Sequence, residues 1–497
     1  MIEAGWLSLL PPVIAIVLAL ITKEVYSSLF IGIFSGMLIY SFSSGGTLVS
    51  AVATTFDMMC AKIADNAYMI IFLALLWAVV MLVSKSGGSQ AYGRWAGQRL
   101  NSKRSAALAT SLLGVLIFID DGFNCLTVGT VMRPITDRLH ISREKLAYII
   151  DATAAPVCII APVSSWAVAV ASEVSQTDGF HIFLSTIAFN FYALLTILMV
   201  LLISVTGRDF GPMKAAEERA EREKPAKSAG TVKERPNGRV IDLVLPILVL
   251  IICAILGMAY VGGYFRGVSF SEAIGYNPTA GLTLGAFAGL VTALLLYLPR
   301  KIMKPKEFME CIVSGIGNIV PPMIILILSW SLGGVCRELI GTGVFISGFV
   351  SSSQLPLGFL PFLIFVIAAL MSFSMGTSWG TFGMLIPIVT MICAADGAEG
   401  LLVPALGATL AGSVYGDHCS PISDTTILAS TGADCKHIRH VETQLPYATL
   451  VAAVCAVGYL IAGFTLSPWV ALIVAAALLA AAVLVLNKAK PGVSVKA

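Results

Sequence analysis

Nine stretches of this sequence are long and apolar enough to cross a lipid bilayer, which decides the class of fold before anything else. They are 7–22, 25–42, 66–84, 181–206, 240–261, 279–298, 309–335, 445–465 and 468–487, against the roughly 20 apolar residues that a spanning helix needs. Four more apolar segments, 106–132, 146–172, 355–392 and 401–430, are interrupted by Gly, Pro or Asp. Charged residues make up 12% of the chain and hydrophobic ones 57%, whereas a soluble domain carries about 25% charge. No large soluble domain fits, and membrane lipid is the expected surrounding. A net charge of +3 gives nucleic acid no purchase. The 10 Cys are scattered singly and read as apolar filler between helices. No basic region precedes 7–22, so that stretch is expected to be retained as a span. The sequence has no phosphate-binding Gly/Lys motif, which argues against an ATP-driven pump. It points to a transporter and not to an enzyme, and no cofactor is expected.

Lys and Arg mark cytoplasmic loops. They cluster at 85–104, 133–145, 207–239, 300–306, around Lys436 and Arg439, and in the tail from Lys488. The loops 41–50, 172–180, 261–278, 336–354 and 393–400 are nearly free of them and are expected to face outward. Threading the chain on these marks puts the N-terminus outside and the C-terminus in the cytoplasm. Segment 106–132 then enters and leaves from the cytoplasmic side, as a re-entrant hairpin with its turn at Asp120-Asp121-Gly122. Segment 355–392 is its counterpart from the outside, turning at Ser374–Gly380. The expected fold is therefore an all-α polytopic membrane protein of about 11 spans plus two hairpins. It divides into inverted repeats at 1–206 and 240–466, each with a hairpin and a broken helix (146–172, 401–430). The linker 207–239 is read as solvated with a short exposed helix, and 467–497 as an extra span and tail. Inverted repeats place a transport site at their interface.

Polar and ionisable groups inside a membrane mark function by default, and the densest run is Gly416-Asp417-His418-Cys419-Ser420-Pro421-Ile422-Ser423-Asp424-Thr425-Thr426. Pro421 breaks the helix there. Freed carbonyls, hydroxyls and a carboxylate are what a small hard cation takes. Asp417, Ser420, Ser423, Asp424 and Thr425 are therefore ion or proton ligands by expectation, with His418 orienting or tuning Asp417 or carrying a proton. In the first half, Pro162-Val163-Ser164-Ser165 lines up with Pro421-Ile422-Ser423-Asp424, so neutral Ser165 stands where Asp424 does. The two sites should be unequal, the stronger in the second half. Asp151 joins them from the first broken segment. Asp120, Asp121, Asn124 and Thr127 come from one hairpin tip, and Ser374, Thr377, Ser378 and Thr381 from the other. Adjacent carboxylates in a dry site do not both ionise easily, which makes the Asp120–Asp121 pair a candidate proton carrier or an anchor for a substrate amine. His140, His437 and His440 lie in basic loops and are expected to be solvated, and His181 opens a span at the membrane interface.

The long run at 416–426, with Ile119-Asp120-Asp121-Gly122 upstream, closely resembles the NhaC-type Na+/H+ antiporter family of the ion transporter superfamily. That resemblance implies a homodimer with a scaffold and a mobile, elevator-like part that holds both hairpins. It implies Na+ held by hairpin tips and broken helices, here at Asp424, Ser423, Thr377 and Ser378, in a bacterial inner membrane. Two functions stay open: exchange of Na+ for H+ at shared carboxylates, and Na+-coupled carriage of an amino or organic acid.

Overall fold

A computed structural model describes Ile2 and residues 4–174, 179–222, 238–345, 356–394 and 398–488. The second part of the linker (223–237) and the tail beyond Lys488 lie outside the described residues. The chain opens with α1 (Leu10–Thr22), α2 (Val25–Ser43), α3 (Leu48–Asp65), α4 (Ala67–Lys85) and α5 (Gly88–Gly97). Next come α6 (Lys103–Leu116), α7 (Asp121–Arg138), α8 (Arg143–Thr153), α9 (Ala155–Cys158), α10 (Ser165–Val174), α11 (Gly179–Thr186), α12 (Phe191–Thr206) and α13 (Gly211–Arg222). The second half holds α14 (Ile241–Val261), α15 (Phe270–Tyr276), α16 (Pro278–Tyr297) and α17 (Pro305–Gly334). It continues with α18 (Leu360–Met375), α19 (Ser378–Cys393), α20 (Leu402–Cys419), α21 (Asp424–Ala433), α22 (His437–Thr465) and α23 (Pro468–Lys488). Among the described residues there is no strand.

Ten helical stretches among the described residues are long and apolar enough to cross a membrane, so the chain is a multi-pass membrane protein. Nine of them answer to the nine uninterrupted stretches read from sequence, and the tenth, Leu357–Met375, is the first leg of segment 355–392. The stretch 181–206 is a correction: it divides into α11 and α12 at Ile187–Asn190, where the Asn190 side chain accepts from Ala193 N at 3.3 Å and caps α12. A second addition is α3, which buries Ala51, Thr55 and Met58 along one stripe. That spacing is one face of a short amphipathic helix.

The basic loops meet at one end of the molecule. Lys103 reaches Glu221 at 2.8 Å, Lys145 reaches Asp209 at 2.6 Å, Arg143 reaches Asp434 at 2.7 Å and Arg219 reaches Glu144 at 3.5 Å. These pairs also correct the picture of a merely exposed linker helix. α13 is docked, with Met213 and Ala216 buried and Glu217 accepting from Ser142 N at 2.7 Å.

Four helices begin in the interior, and each begins on a side-chain cap. Asp120 accepts from Phe123 N at 2.8 Å at the start of α7, and Ser164 from Ala167 N at 3.0 Å at the start of α10. Thr377 accepts from Gly380 N at 3.4 Å at the start of α19, and Ser423 from Thr426 N at 3.3 Å at the start of α21. Short polar side chains satisfy helix donors that would otherwise be orphaned by the break. α7 packs on α21, and α10 on α19, through Trp166 against Trp379 and Phe382 (ring centroids 5.6 Å apart in both pairs). α7 and α21 meet backbone to backbone: a Cβ on Gly129 would come within 2.5 Å of the Gly432 carbonyl carbon.

Candidate functional site

The turns before Asp121 and before Ser378 each lie against a second helix break from the same half of the chain. In the first half Ser165 N donates to Ile119 O at 3.1 Å, its hydroxyl reaches the same carbonyl at 3.4 Å, and that hydroxyl lies beside Asp120. Asn124 ties the ends together, donating to Gly114 O at 2.7 Å, Ile117 O at 3.0 Å and Thr153 O at 3.1 Å. One amide, with two hydrogens, is thereby shared among three carbonyls at the break. Ser164 turns its own hydroxyl to Cys158 O (2.8 Å) and Ala161 O (3.1 Å), so it serves the break. Thr127 is buried one turn along α7.

In the second half the turn residue Gly376 adopts φ +68° and abuts the other break. A Cβ there would lie 2.6 Å from Ile422 Cγ1 and 2.9 Å from the Ile422 carbonyl oxygen. Only Gly combines that left-handed backbone with so close an approach. Ser378 donates to Ser413 O at 3.1 Å, and Thr381 to Thr377 O at 2.9 Å. Ser374 reaches back to Leu20 O at 3.3 Å, away from the interior.

Asp417 is buried and accepts from Thr425 Oγ1 at 2.8 Å, whose oxygen lies 3.1 Å from that of Ser423. Ser420 is fully buried and its hydroxyl has no partner. Asp424 differs from the rest: it lies on the exposed side of the break, with Pro421 and Ile422. The four residues Asp424, Ser423, Thr377 and Ser378 thus flank the Gly376–Ile422 contact, but Asp424 does so from the open side.

Asp151 is wholly buried and lies at the junction of α8, α20, α21 and α22. Its Oδ2 accepts from Gln444 Nε2 at 2.7 Å and Thr426 Oγ1 at 3.2 Å, and lies 3.3 Å from His440 Nε2. Its Oδ1 faces His418 Nε2 at 3.9 Å, and neither of those two atoms has a hydrogen-bond partner. His418 Nδ1 is 3.2 Å from Tyr192 OH. The expectation of a solvated His440 is corrected here: the residue is fully buried. His440 and Gln444 sit four apart on one face of α22. That spacing was the available signal, and the neighbouring charges of Lys436 and Arg439 masked it. His437 does lie toward the surface, with Nε2 2.7 Å from Pro421 O.

Asp417 accepts from Thr425 and Asp151 from Thr426, neighbours at the start of α21, and α21 packs on α7, which opens at Asp120 and Asp121, so the four carboxylates surround one interior region. Among the described residues no Lys or Arg forms an ion pair with any of the four. Four helix N-termini converge on the same region, and a helix N-terminus carries partial positive charge. The arrangement can hold protons or small cations on carboxylates while tolerating their ionised form. Among the described residues no cluster of three or more His, Cys, Asp or Glu has the arrangement of a metal site.

The Na+/H+ antiporter family matches residues 167–464, and the chain belongs to it. It is similar to an uncharacterized protein of Haemophilus influenzae, 38% identical over 482 residues that cover 93% of this chain and 91% of that one. It is also similar to the malate-2H(+)/Na(+)-lactate antiporter of Bacillus subtilis, 32% identical over 189 residues, 37% of this chain and 38% of that protein. In fold it is similar to the Alcanivorax borkumensis YdaH transporter, with a TM-score of 0.56 at 13% identity, over 83% of this chain and 88% of that one. A secondary transporter of the antiporter class follows from membership in the family.

Proposed function

We propose that the protein exchanges Na+ for H+ at one set of interior carboxylates. The observation that supports this best is the group Asp120, Asp121, Asp151 and Asp417, buried together with no Lys or Arg ion pair among the described residues. An unpaired buried charge is costly, so such a site takes up a proton or a cation to be stable. Orphaned buried oxygens on Asp151, Ser420, Gln444 and Asn124 add ligands of the hard type. In this reading Asp417, Thr425 and Ser423 hold Na+ together with the turn hydroxyls of Thr377 and Ser378, and Asp424 receives the ion at the exposed side. Competition between Na+ and H+ for these groups is by itself enough for exchange.

The two halves act as inverted repeats, and the part carrying both turns moves in an elevator-like manner within a homodimer. The basic end faces the cytoplasm of a bacterial inner membrane, with the N-terminus outside. Single Cys residues at Gly122 and Ser374, in a Cys-free background, should then be labelled from opposite faces. Labelling from one face alone rejects the inverted arrangement.

The convergence of four helix N-termini favours a second reading, because positive helix ends also attract an anionic solute. The likeness to a malate and lactate antiporter points the same way. That reading is Na+-coupled carriage of an organic or amino acid. Proteoliposomes with an acidic lumen and a pH dye separate the two. Exchange predicts loss of the gradient when Na+ alone is added outside, weakening as external pH falls. If Na+ alone is inert and a carboxylic or amino acid drives Na+-dependent uptake, the exchange reading is wrong.

A further inference from the structure

One buried carboxylate lies apart from the central group. Glu173 is 1% exposed in the last turn of α10, and neither of its oxygens has a hydrogen-bond partner. It forms part of the wall of a cavity of about 900 Å³ between α3, the end of α10, α17 with its π-helical turn Val335–Leu339, and α19. Lys62, Asn66, Trp330, Arg337 and Thr390 also line this cavity. It lies at the opposite end from the basic loops, in the region read as outward-facing.

α10 joins this cavity to the central carboxylates. Its first residue, Ser165, lies beside Asp120, and Glu173 is eight residues further on, a rise of about 12 Å. We propose that Glu173 carries the proton between the outer cavity and the central aspartates. This rests on the Na+/H+ reading of the central site.

The neighbours of Glu173 suit a proton better than Na+. Ser329, beside the carboxyl, already donates its hydroxyl hydrogen to Gly383 O. Its oxygen is left as an acceptor, which a neutral carboxyl can use and a carboxylate cannot. Ser172 is likewise committed, donating to Ala169 O at 2.7 Å and accepting from Trp330 Nε1 at 3.2 Å. A hard cation would find one carboxylate and few free oxygens, short of the shell it requires.

The charged and titratable groups that surround Glu173 come from several elements. Arg337 acts on it electrostatically and has no ion pair among the described residues. Lys62 is held by Glu338 at 2.6 Å and Asp65 at 3.5 Å. α11, packed along α10, brings His181, and α19 brings Cys393. The charged residues of α4 (Lys85) and α17 (Lys306, Glu307, Glu310) lie at the helix ends remote from Trp330. On loading, a hydronium in the cavity gives its proton to a Glu173 oxygen and leaves as water. On delivery that O–H bond breaks and the proton passes, relayed by water, to a central carboxylate, leaving Glu173 as the carboxylate.

Proteoliposomes carrying wild type, E173Q or E173D test this, with the rate of Na+-driven proton movement measured against pH on the cavity side. E173Q should slow exchange about tenfold or more and lose the dependence on cavity-side pH, while E173D restores both in part. Carbodiimide, which attacks protonated carboxyls, should label Glu173 in purified protein at neutral pH, read by mass spectrometry. A wild type that exchanges, beside an E173Q protein with the same rate and profile, overturns the inference. So does an E173Q protein that is slowed equally at every pH, which is a structural effect. Protection from carbodiimide by Na+ at constant pH makes this a sodium site and also overturns it. If wild type exchanges no Na+, the reading of the central site fails, and labelling alone then decides for Glu173. The same labelling decides if E173Q does not fold, and an unlabelled Glu173 rejects the proposal in either case.

Discussion

The two halves solve the same local problem with acids in opposite places. In the first half the interior turn carries the carboxylates, Asp120 and Asp121, and the break it rests on is neutral, with Ser164 and Ser165, although the helix leading into that break carries Asp151. In the second half the turn is neutral, with Thr377 and Ser378, and the broken helix carries Asp417 inside and Asp424 outside. At the contact itself each turn-and-break pair thus holds acid on one partner, and the other partner supplies hydroxyls and a carbonyl. Two acids on both partners would put like charges face to face in a dry interior, which is costly. The difference teaches that both pairs begin their helices on side-chain caps and yet place their charge differently. Asp151 belongs to neither pair and is bound instead to α22.

The sharpest way to break this comparison is to remove the inner acid of the second half. Asp417→Asn should reduce transport by about 100-fold or more, as the loss of a charged, fully buried ligand implies, while the protein elutes as a folded species. Asp424→Asn, on the exposed side, should cost less than about tenfold. If Asp424→Asn proves the more severe, the charge asymmetry has been placed at the wrong residue.

Asp121→Asn should lower transport by about tenfold, since Asp120 remains and keeps its cap on Phe123 N. Asp120→Ala should in addition destabilise the protein by about 1 kcal/mol through the lost cap, read as a lower thermal midpoint. Equal midpoints for the two variants would show that the cap does not hold the turn.

Most of this arrangement was legible in the sequence. The segments 106–132 and 355–392 had flanks of matching charge; the first breaks just before the expected turn, at 117–120, and the second within the expected 374–380, at Gly376 and Thr377. The motif at 416–426 breaks at Ser420–Ser423. What the one-dimensional pattern could not give was facing. Asp417 and Asp424 looked alike as intramembrane acids, but they are separated by a break that turns one inward and the other outward. Likewise His440 read as part of a basic loop, because charge density is averaged over neighbours and burial belongs to single faces. Asp151 was visible as an acid, whereas its partners, on α20, α21 and α22, are joined only by the tertiary fold.

That third environment can be tested apart from the two pairs. Gln444→Leu removes the 2.7 Å donor to Asp151 and the 2.8 Å bond to His418 O. With two buried acceptors losing a partner, stability should fall by about 2 kcal/mol. Transport should change less than in Asp417→Asn. A variant as stable as wild type would mean that Thr426 and His440 satisfy Asp151 alone.

The smallest effect is expected at Ser165, the neutral counterpart of Asp424. Its backbone N–H holds Ile119 O at 3.1 Å, and Ser165→Ala leaves that bond intact. The hydroxyl adds only a 3.4 Å contact to the same carbonyl and its place beside Asp120. A bond that long contributes little, and the carbonyl it leaves is already satisfied. The cap of α10 is unaffected as well, because Ser164 and not Ser165 accepts from Ala167 N. Ser165→Ala should therefore keep its thermal midpoint and change transport by less than about threefold, within the about 0.5 kcal/mol typical of a substitution that breaks no buried network. Loss of transport comparable to that of Asp417→Asn would place an ion ligand at the first break itself. The two halves would then be alike in chemistry as well as in their helix caps, and the contrast drawn between them would fall.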